Sequence, residues 1–160
     1  MKTIYFIRHA KAKKEGESDF ERRLSKRGKS DAQALSDILK EKNITPQTIY
    51  ASSATRALST AEILKDGIKF KGIFKTSDDL YEFESQNLLK FVKNIDDKAN
   101  TIFIIGHNSA ITEVCETLSD SVIGNMPTCA IFGIKFSVDN FSDIEEKIGE
   151  VIFYSYPKRD

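Results

Sequence analysis

Two cysteines, two histidines and no excess of either charge sign mark this 160-residue chain. Cys115 and Cys129 lack CxxC or any other metal-type spacing, and both stand in apolar contexts. They read as reduced core residues, free cysteine being among the most buried residue types. Lysine plus arginine equals aspartate plus glutamate at 24 each, which removes a general drive towards nucleic acid or an anionic membrane while leaving room for a local basic pocket. No apolar run approaches the ~20 residues of a membrane span. Met1-Lys2-Thr3 leads straight into a strand-like run, without the basic segment, apolar core and cleavage site of a secretory signal, so the cytoplasm is the expected location. Repeats, low-complexity tracts and linkers are also missing. One domain over residues 1–160 follows, long enough to bury roughly 68–70% of its unfolded surface.

The remaining sequence alternates apolar runs of two periods. Residues 2–7 read as a β-branched and aromatic strand, and residues 10–25 as an exposed polar loop. From Gly28 the period becomes helical, with Ala32, Leu35, Ile38 and Leu39 on one stripe; Asn43 follows the helix and Pro46 forbids its continuation. Thr48–Ala51 is a second strand, after which Ser52 or Ser53 is placed to cap a helix ended by Lys65-Asp66-Gly67. A third β segment near residues 68–75 alternates lysines with Ile68, Phe70 and Phe74, a pattern for an edge. A helix through Leu88, Leu89, Val92 and Ile95, a central strand at residues 101–105 and a helix from about Ser109 to Leu118 follow. Residues 130–136 and 149–154 are strands joined by a polar stretch, with no helix between them. The fold class is therefore α/β: a three-layer domain with a mainly parallel central sheet, an antiparallel edge strand and helices on both faces.

Both histidines fall just past the end of an apolar strand, where open α/β sheets bind their ligands. Ile4-Tyr5-Phe6-Ile7 leads to Arg8-His9-Ala10, and Ile102-Phe103-Ile104-Ile105 leads to Gly106-His107-Asn108. A neutral imidazole is a good nucleophile towards phosphorus, and the phosphoramidate it forms is labile enough to turn over. Arginines supply planar donors for phosphoryl oxygens. Arg8 adjoins His9, Arg56 lies in the first turns of the helix after the second strand, and Arg22 sits in the loop after the first strand. His107, as a cation or an N–H donor, could hold an oxygen opposite His9. The leaving group needs a proton; Glu82 is the first candidate acid and Glu84 the second, both beside Phe83 in the segment before the third helix. Tyr81, Phe83 and Phe91 read as core or rim aromatics. Zinc is disfavoured, because neither histidine has a second ligand at i+2 to i+4 and arginines adjoin both.

Arg8-His9-Ala10 resembles the RHG signature of the histidine phosphatase superfamily. Ser52-Ser53-Ala54-Thr55-Arg56-Ala57-Leu58-Ser59-Thr60-Ala61 is similar to its S-x-x-x-R-A-x-x-T-A pattern, and Gly106-His107-Asn108 to its G-H or S-H segment. Asp19-Phe20-Glu21-Arg22-Arg23-Leu24-Ser25-Lys26-Arg27-Gly28 resembles the D-x-x-R-x-L-(T/S)-x-x-G loop of the small phosphohistidine phosphatases of the SixA subgroup. Leu80-Tyr81-Glu82 with Leu88-Leu89, and the terminal Tyr156-Pro157-Lys158, also look like that subgroup's pattern. The resemblance implies a phosphoglycerate mutase-like fold, with His9 as the phosphorylated nucleophile and Arg8, Arg56 and His107 binding phosphate. Arg22 carries over as a further phosphate contact and Asp19 as its positioning partner. Ala10 replaces the usual glycine, so its backbone is expected to avoid the left-handed region.

The activity expected is hydrolysis of protein phosphohistidine by a metal-independent, cofactor-free enzyme through a covalent phosphohistidine. Short connections leave little chain for a lid over a metabolite, which suits a phosphorylated protein partner such as a histidine phosphotransfer domain. Neither nucleic acid nor membrane is an expected partner, and a monomer is the default. A small-molecule phosphomonoesterase of the same superfamily and a catalytically inactive phosphate-binding module are the alternatives.

Overall fold

The computed structural model describes residues 1–81 and 84–157. Six strands join in one sheet: β1 (Lys2–Arg8), β2 (Thr48–Ser52), β3 (Ile73–Ser77), β4 (Thr101–Gly106), β5 (Ile131–Phe136) and β6 (Glu150–Ser155), in the spatial order β3-β2-β4-β1-β5-β6. The pairings β3–β2, β2–β4 and β4–β1 are parallel, whereas β5 is antiparallel to both β1 and β6. The β5–β6 hairpin forms one edge; within it the strand that runs counter to the rest is β5, next to the edge rather than at it. Lysine-bearing β3 forms the other edge, as the alternation of its sequence predicts, but it starts at Ile73, within the expected segment near residues 68–75, and runs on to Ser77.

Alternation along each strand divides the core into two faces. Ile4, Phe6, Ile102, Ile104, Phe132 and Ile134 point to one side, where they meet α3 (Ser85–Lys93) and α4 (Ala110–Leu118). Tyr5, Ile7, Ile49, Ala51, Phe103 and Ile105 point to the other, under α1 (Lys26–Glu41) and α2 (Thr55–Ile68). The period of two is what buries both faces of the central strands. Cys115 and Cys129 are both buried, in keeping with their reading as core residues.

Helix ends differ from expectation in one respect that bears on the site. Ser25 caps α1 by accepting from Gly28 N–H, but neither Ser52 nor Ser53 caps α2. Ala54 is the N-cap residue, without a side-chain bond, because Ser52 still belongs to β2 and its hydroxyl is used elsewhere. At the other end α2 runs through Gly67 to Ile68, and Lys69 terminates it in the left-handed region at φ 54°. Among the described residues no helix is long and apolar enough to cross a membrane.

The loop leaving β1 returns over the start of α1. Ser25 N–H and Oγ–H both donate to the Lys11 carbonyl, and Ala12 bridges Leu24. Gly28 permits this approach: a Cβ there would lie 2.0 Å from the Lys11 carbonyl oxygen. Gly28→Ala is therefore expected to destabilise the protein by about 1–3 kcal/mol through overpacking against backbone, read as a lower urea midpoint. An unchanged midpoint would show that the loop is not seated on α1 as described.

Candidate active site

The parallel register of β1 with β4 sets the two histidines side by side. Arg8 pairs with Gly106, so His9 and His107 each stand one residue beyond the paired ends. His9 N–H extends the ladder to the Gly106 carbonyl at 3.1 Å, and the ring centroids lie 5.1 Å apart. From the other side, Cys129 N–H reaches the carbonyls of Arg8 and His9 at 3.1 and 3.0 Å. The chain end of β1 is thus held by backbone bonds on both flanks.

His9 is 7% exposed, and its Nδ1 lies 2.7 Å from the Ala10 carbonyl. A carbonyl only accepts, so the Nδ1 carries the proton and Nε2 keeps its lone pair. Arg56 Nε–H donates to that Nε2 at 3.3 Å. Burial pushes the pKa of His9 down to about 4, with the neighbouring Arg56, Arg8 and Arg22 guanidiniums adding to the effect. His107 is pushed down to about 3, first by burial and then by His9 and Arg56. Both rings are neutral at neutral pH. Of the two roles open to His107 in the sequence, the N–H donor is therefore the one this site supports. Its Nε2 meets Ser52 Oγ at 2.8 Å, which explains why that serine does not cap α2.

Arg56, in the first turn of α2, is 2% exposed and has every guanidinium nitrogen engaged. Nη1 donates to the Asp19 carbonyl at 2.7 Å and Nη2 to Asp19 Oδ2 at 3.1 Å. Arg8 donates from Nη1 to the Met126 carbonyl at 2.7 Å, while its buried Nε has no hydrogen-bond partner among the described residues. Desolvation and the Arg56 charge lower the Arg8 pKa. Arg22 is placed at the same mouth, but its guanidinium is turned to Asp19 Oδ1 at 3.1 Å and to the Lys13 carbonyl at 3.2 Å. Asp19 is accordingly the partner of Arg22 that the sequence suggests, and of Arg56 as well. Its carboxyl is held below the usual carboxylate range, chiefly by the hydrogen bond from Tyr81 and then by Arg56 and Arg22.

The first candidate acid, Glu82, lies outside the described residues, as does Phe83. Glu84 is exposed at the start of α3 and accepts from Gln86 Nε2 at 2.9 Å. Three further side chains join the site, although the sequence places Ser52 as a candidate helix cap and Tyr81 as a core or rim aromatic and gives Thr60 no role of its own. Ser52 holds His107, and Thr60 takes Ala10 N–H at 3.0 Å while donating to the Arg56 carbonyl at 2.8 Å. Both stand in the S-x-x-x-R-A-x-x-T-A stretch, which is the signal that could have found them. Tyr81 donates to Asp19 Oδ2 at 2.6 Å, and nothing in its local sequence announces that partner. Among the described residues, no group of three or more His, Cys, Asp or Glu side chains is placed to share a metal ion.

Chemically, the arrangement is a basic imidazole nitrogen, a second neutral imidazole and three guanidiniums converging on one end of the sheet. A profile of the histidine phosphatase superfamily (branch 1) matches residues 4–88. No match exists among curated protein sequences. Among solved structures, the protein histidine phosphatase SixA complexed with tungstate is similar at a TM-score of 0.82 and 16% identity, over 96% of each chain. The SixA protein of Agrobacterium tumefaciens gives 0.82 and 21% over 98% of each chain. A mycobacterial glucosyl-3-phosphoglycerate phosphatase gives 0.70 and 14%, over 98% of this chain and 100% of that one. At these identities the likeness establishes the phosphoglycerate mutase-like fold.

Buried neutral histidines make stability pH-dependent with a definite sign. Their folded pKa values lie below the usual 6.5, so the unfolded chain takes up protons first as pH falls. Their contribution is complete above about pH 6.5 and is lost on descent towards about 4 for His9 and 3 for His107, at up to ~1.4 kcal/mol per pH unit for each ring. His107→Asn should flatten the decline in urea stability between pH 6.5 and 4 relative to the wild type. Parallel declines would mean that His107 is not held neutral by the fold.

Proposed function

Because the chain belongs to the histidine phosphatase superfamily, we propose that it hydrolyses phosphohistidine on a protein, without a metal, through a phosphoryl group carried transiently on His9. The observation that carries the reading is the His9 Nδ1 bond to the Ala10 carbonyl, which leaves Nε2 as the basic nitrogen among the guanidiniums. Nε2 donates its lone pair to phosphorus, the bond from phosphorus to the substrate's imidazole nitrogen breaks, and the leaving imidazole takes a proton from solvent water. The His9 ring gains positive charge in this step, and the Nδ1–H bond to Ala10 stabilises it. Water then attacks the phosphorus of phospho-His9, releasing phosphate and restoring the neutral ring.

Arg56 has the largest adjustment to make. Its Nε–H now donates to the lone pair that must attack, so an entering phosphoryl oxygen has to take over that N–H. Arg8, whose buried Nε has no hydrogen-bond partner among the described residues, offers a second donor. His107 supplies an N–H to a further oxygen. These groups provide, from the protein itself, the positive field that a metal ion would otherwise bring to a phosphoryl transfer.

The protein-borne substrate is supported by the TM-scores of 0.82 to the two SixA structures, against 0.70 to the glucosyl-3-phosphoglycerate phosphatase. A phosphoramidate also asks less of a general acid than an ester does, which fits a site where Glu84 is engaged by Gln86. A histidine phosphotransfer domain is the partner class proposed.

The test compares hydrolysis of a phosphohistidine protein with that of small phosphate esters, in wild type and His9→Ala, with a chelator present. Turnover of the phosphoprotein by the wild type, falling at least ~10³-fold in His9→Ala, is expected, together with an acid-labile, alkali-stable phosphoenzyme. Activity surviving His9→Ala would sink the covalent route. A preference for small esters would instead assign a phosphomonoesterase, and phosphate binding without turnover a recognition module.

A further inference from the structure

We propose that Tyr81 is a positioning residue of this site: its hydroxyl fastens Asp19 and, through Asp19, fixes the Arg22 and Arg56 guanidiniums for an incoming phosphoryl group. The inference rests on the phosphate-handling role argued above. Tyr81 ends the short helical turn Asp78–Tyr81 that follows β3, whereas Asp19 and Arg22 belong to the loop that follows β1. The bond between them therefore joins two segments from different parts of the sheet. Tyr81 Oη–H and Arg56 Nη2 converge on the same oxygen, Asp19 Oδ2, at 2.6 and 3.1 Å, and Arg22 Nε takes the other oxygen at 3.1 Å.

The ring of Tyr81 adds contacts that orient its hydroxyl. It packs edge-on against His107 at 5.4 Å between centroids and against Phe20 at 5.1 Å, and the Arg56 guanidinium lies 5.9 Å from its centre. Phe20 is itself tied to the start of α2, its carbonyl accepting from Thr55 N–H at 3.0 Å. Asp19 needs such a fixed point because its side chain is 49% exposed. Exposed ion pairs on long, mobile side chains hold geometry weakly, and a planar guanidinium serves phosphate only in the right orientation. A phenol held by two aromatic contacts supplies what the ion pairs lack.

Among the described residues, the charged and titratable groups facing Asp19 are Arg22 of its own loop, Arg56 of α2, Tyr81 of the turn and His107 beyond β4. The Tyr81 bond is the largest influence keeping the Asp19 carboxyl ionised at low pH. Removing the hydroxyl should loosen the tether and also raise the pH at which it releases.

Tyr81→Phe keeps the ring and deletes the bond. Binding of inorganic phosphate to the full chain, followed by calorimetry from pH 4 to 8, is expected to weaken about three- to tenfold, with its acid limb moved to higher pH. In an Asp19→Asn background the same substitution should add nothing, since the partner it acts through is already altered. A merely structural tyrosine would lower the melting temperature without moving the acid limb. Unchanged affinity and pH profile in Tyr81→Phe, or effects that add to those of Asp19→Asn, overturn the inference alone. A wild-type protein that binds no phosphate overturns it together with the reading on which it rests.

Discussion

The parallel pairing of β1 with β4, Arg8 opposite Gly106, is the constraint from which the catalytic end of this protein is built. His9 and His107 are remote in sequence, and only this register makes them neighbours. The register is locked by what the strands bury: Ile4 and Phe6 with Ile102 and Ile104 on one face, Tyr5 and Ile7 with Phe103 and Ile105 on the other. A slip of one residue would exchange the faces throughout and part the imidazoles. Packing deep in the sheet is thus what sets the geometry at its rim. On the opposite flank of β1, the Cys129 N–H performs the complementary service of holding the Arg8 and His9 carbonyls.

Once the histidines are adjacent, burial decides their charge. Three guanidiniums beside two rings would repel any imidazolium, and desolvation acts in the same direction, so the rings stay neutral and one nitrogen of His9 stays basic. Among the described residues, Asp19 is the carboxylate these cations share, half-exposed and bonded to Arg22, Arg56 and Tyr81. The guanidiniums favour an entering anion with several oxygens, and the Arg8 Nε, without a hydrogen-bond partner among the described residues, adds a desolvated donor for such an oxygen to satisfy.

What the sequence disclosed and what it withheld divide along the same line. Strand and helix periods are local, so β1, β4 and the stripe of α1 are readable, and each histidine advertises itself by standing just past an apolar run. Arg56 is readable from its neighbours in the S-x-x-x-R-A-x-x-T-A stretch. Bonds between distant segments have no local pattern. The Ser52 hydroxyl meets His107 across 55 residues, which is why a residue that looks like a helix cap is not one. The Tyr81 hydroxyl meets Asp19 across 62 residues and reads locally as another rim aromatic. Arg22 shows a subtler limit: its place at the mouth follows from the loop, but the direction of its guanidinium depends on Asp19 and the Lys13 carbonyl.

Ala10 brings these threads together, because it stands where the superfamily signature has glycine. Positive φ among non-glycine residues occurs at Asn43, Lys69, Cys129 and Lys147, and Ala10 is not one of them. Its carbonyl accepts from His9 Nδ1, and its N–H donates to Thr60 Oγ1, which in turn holds the Arg56 carbonyl. Its side chain is fully buried in the core under α1 and α2. The backbone at this position does the chemical work, setting the tautomer of the nucleophile and linking it to α2. A glycine is required only where φ is positive or a Cβ has no room, and neither holds here. The methyl group therefore adds core contact while leaving both backbone bonds in place, and the departure from the signature is one the site accommodates without changing what His9 can do.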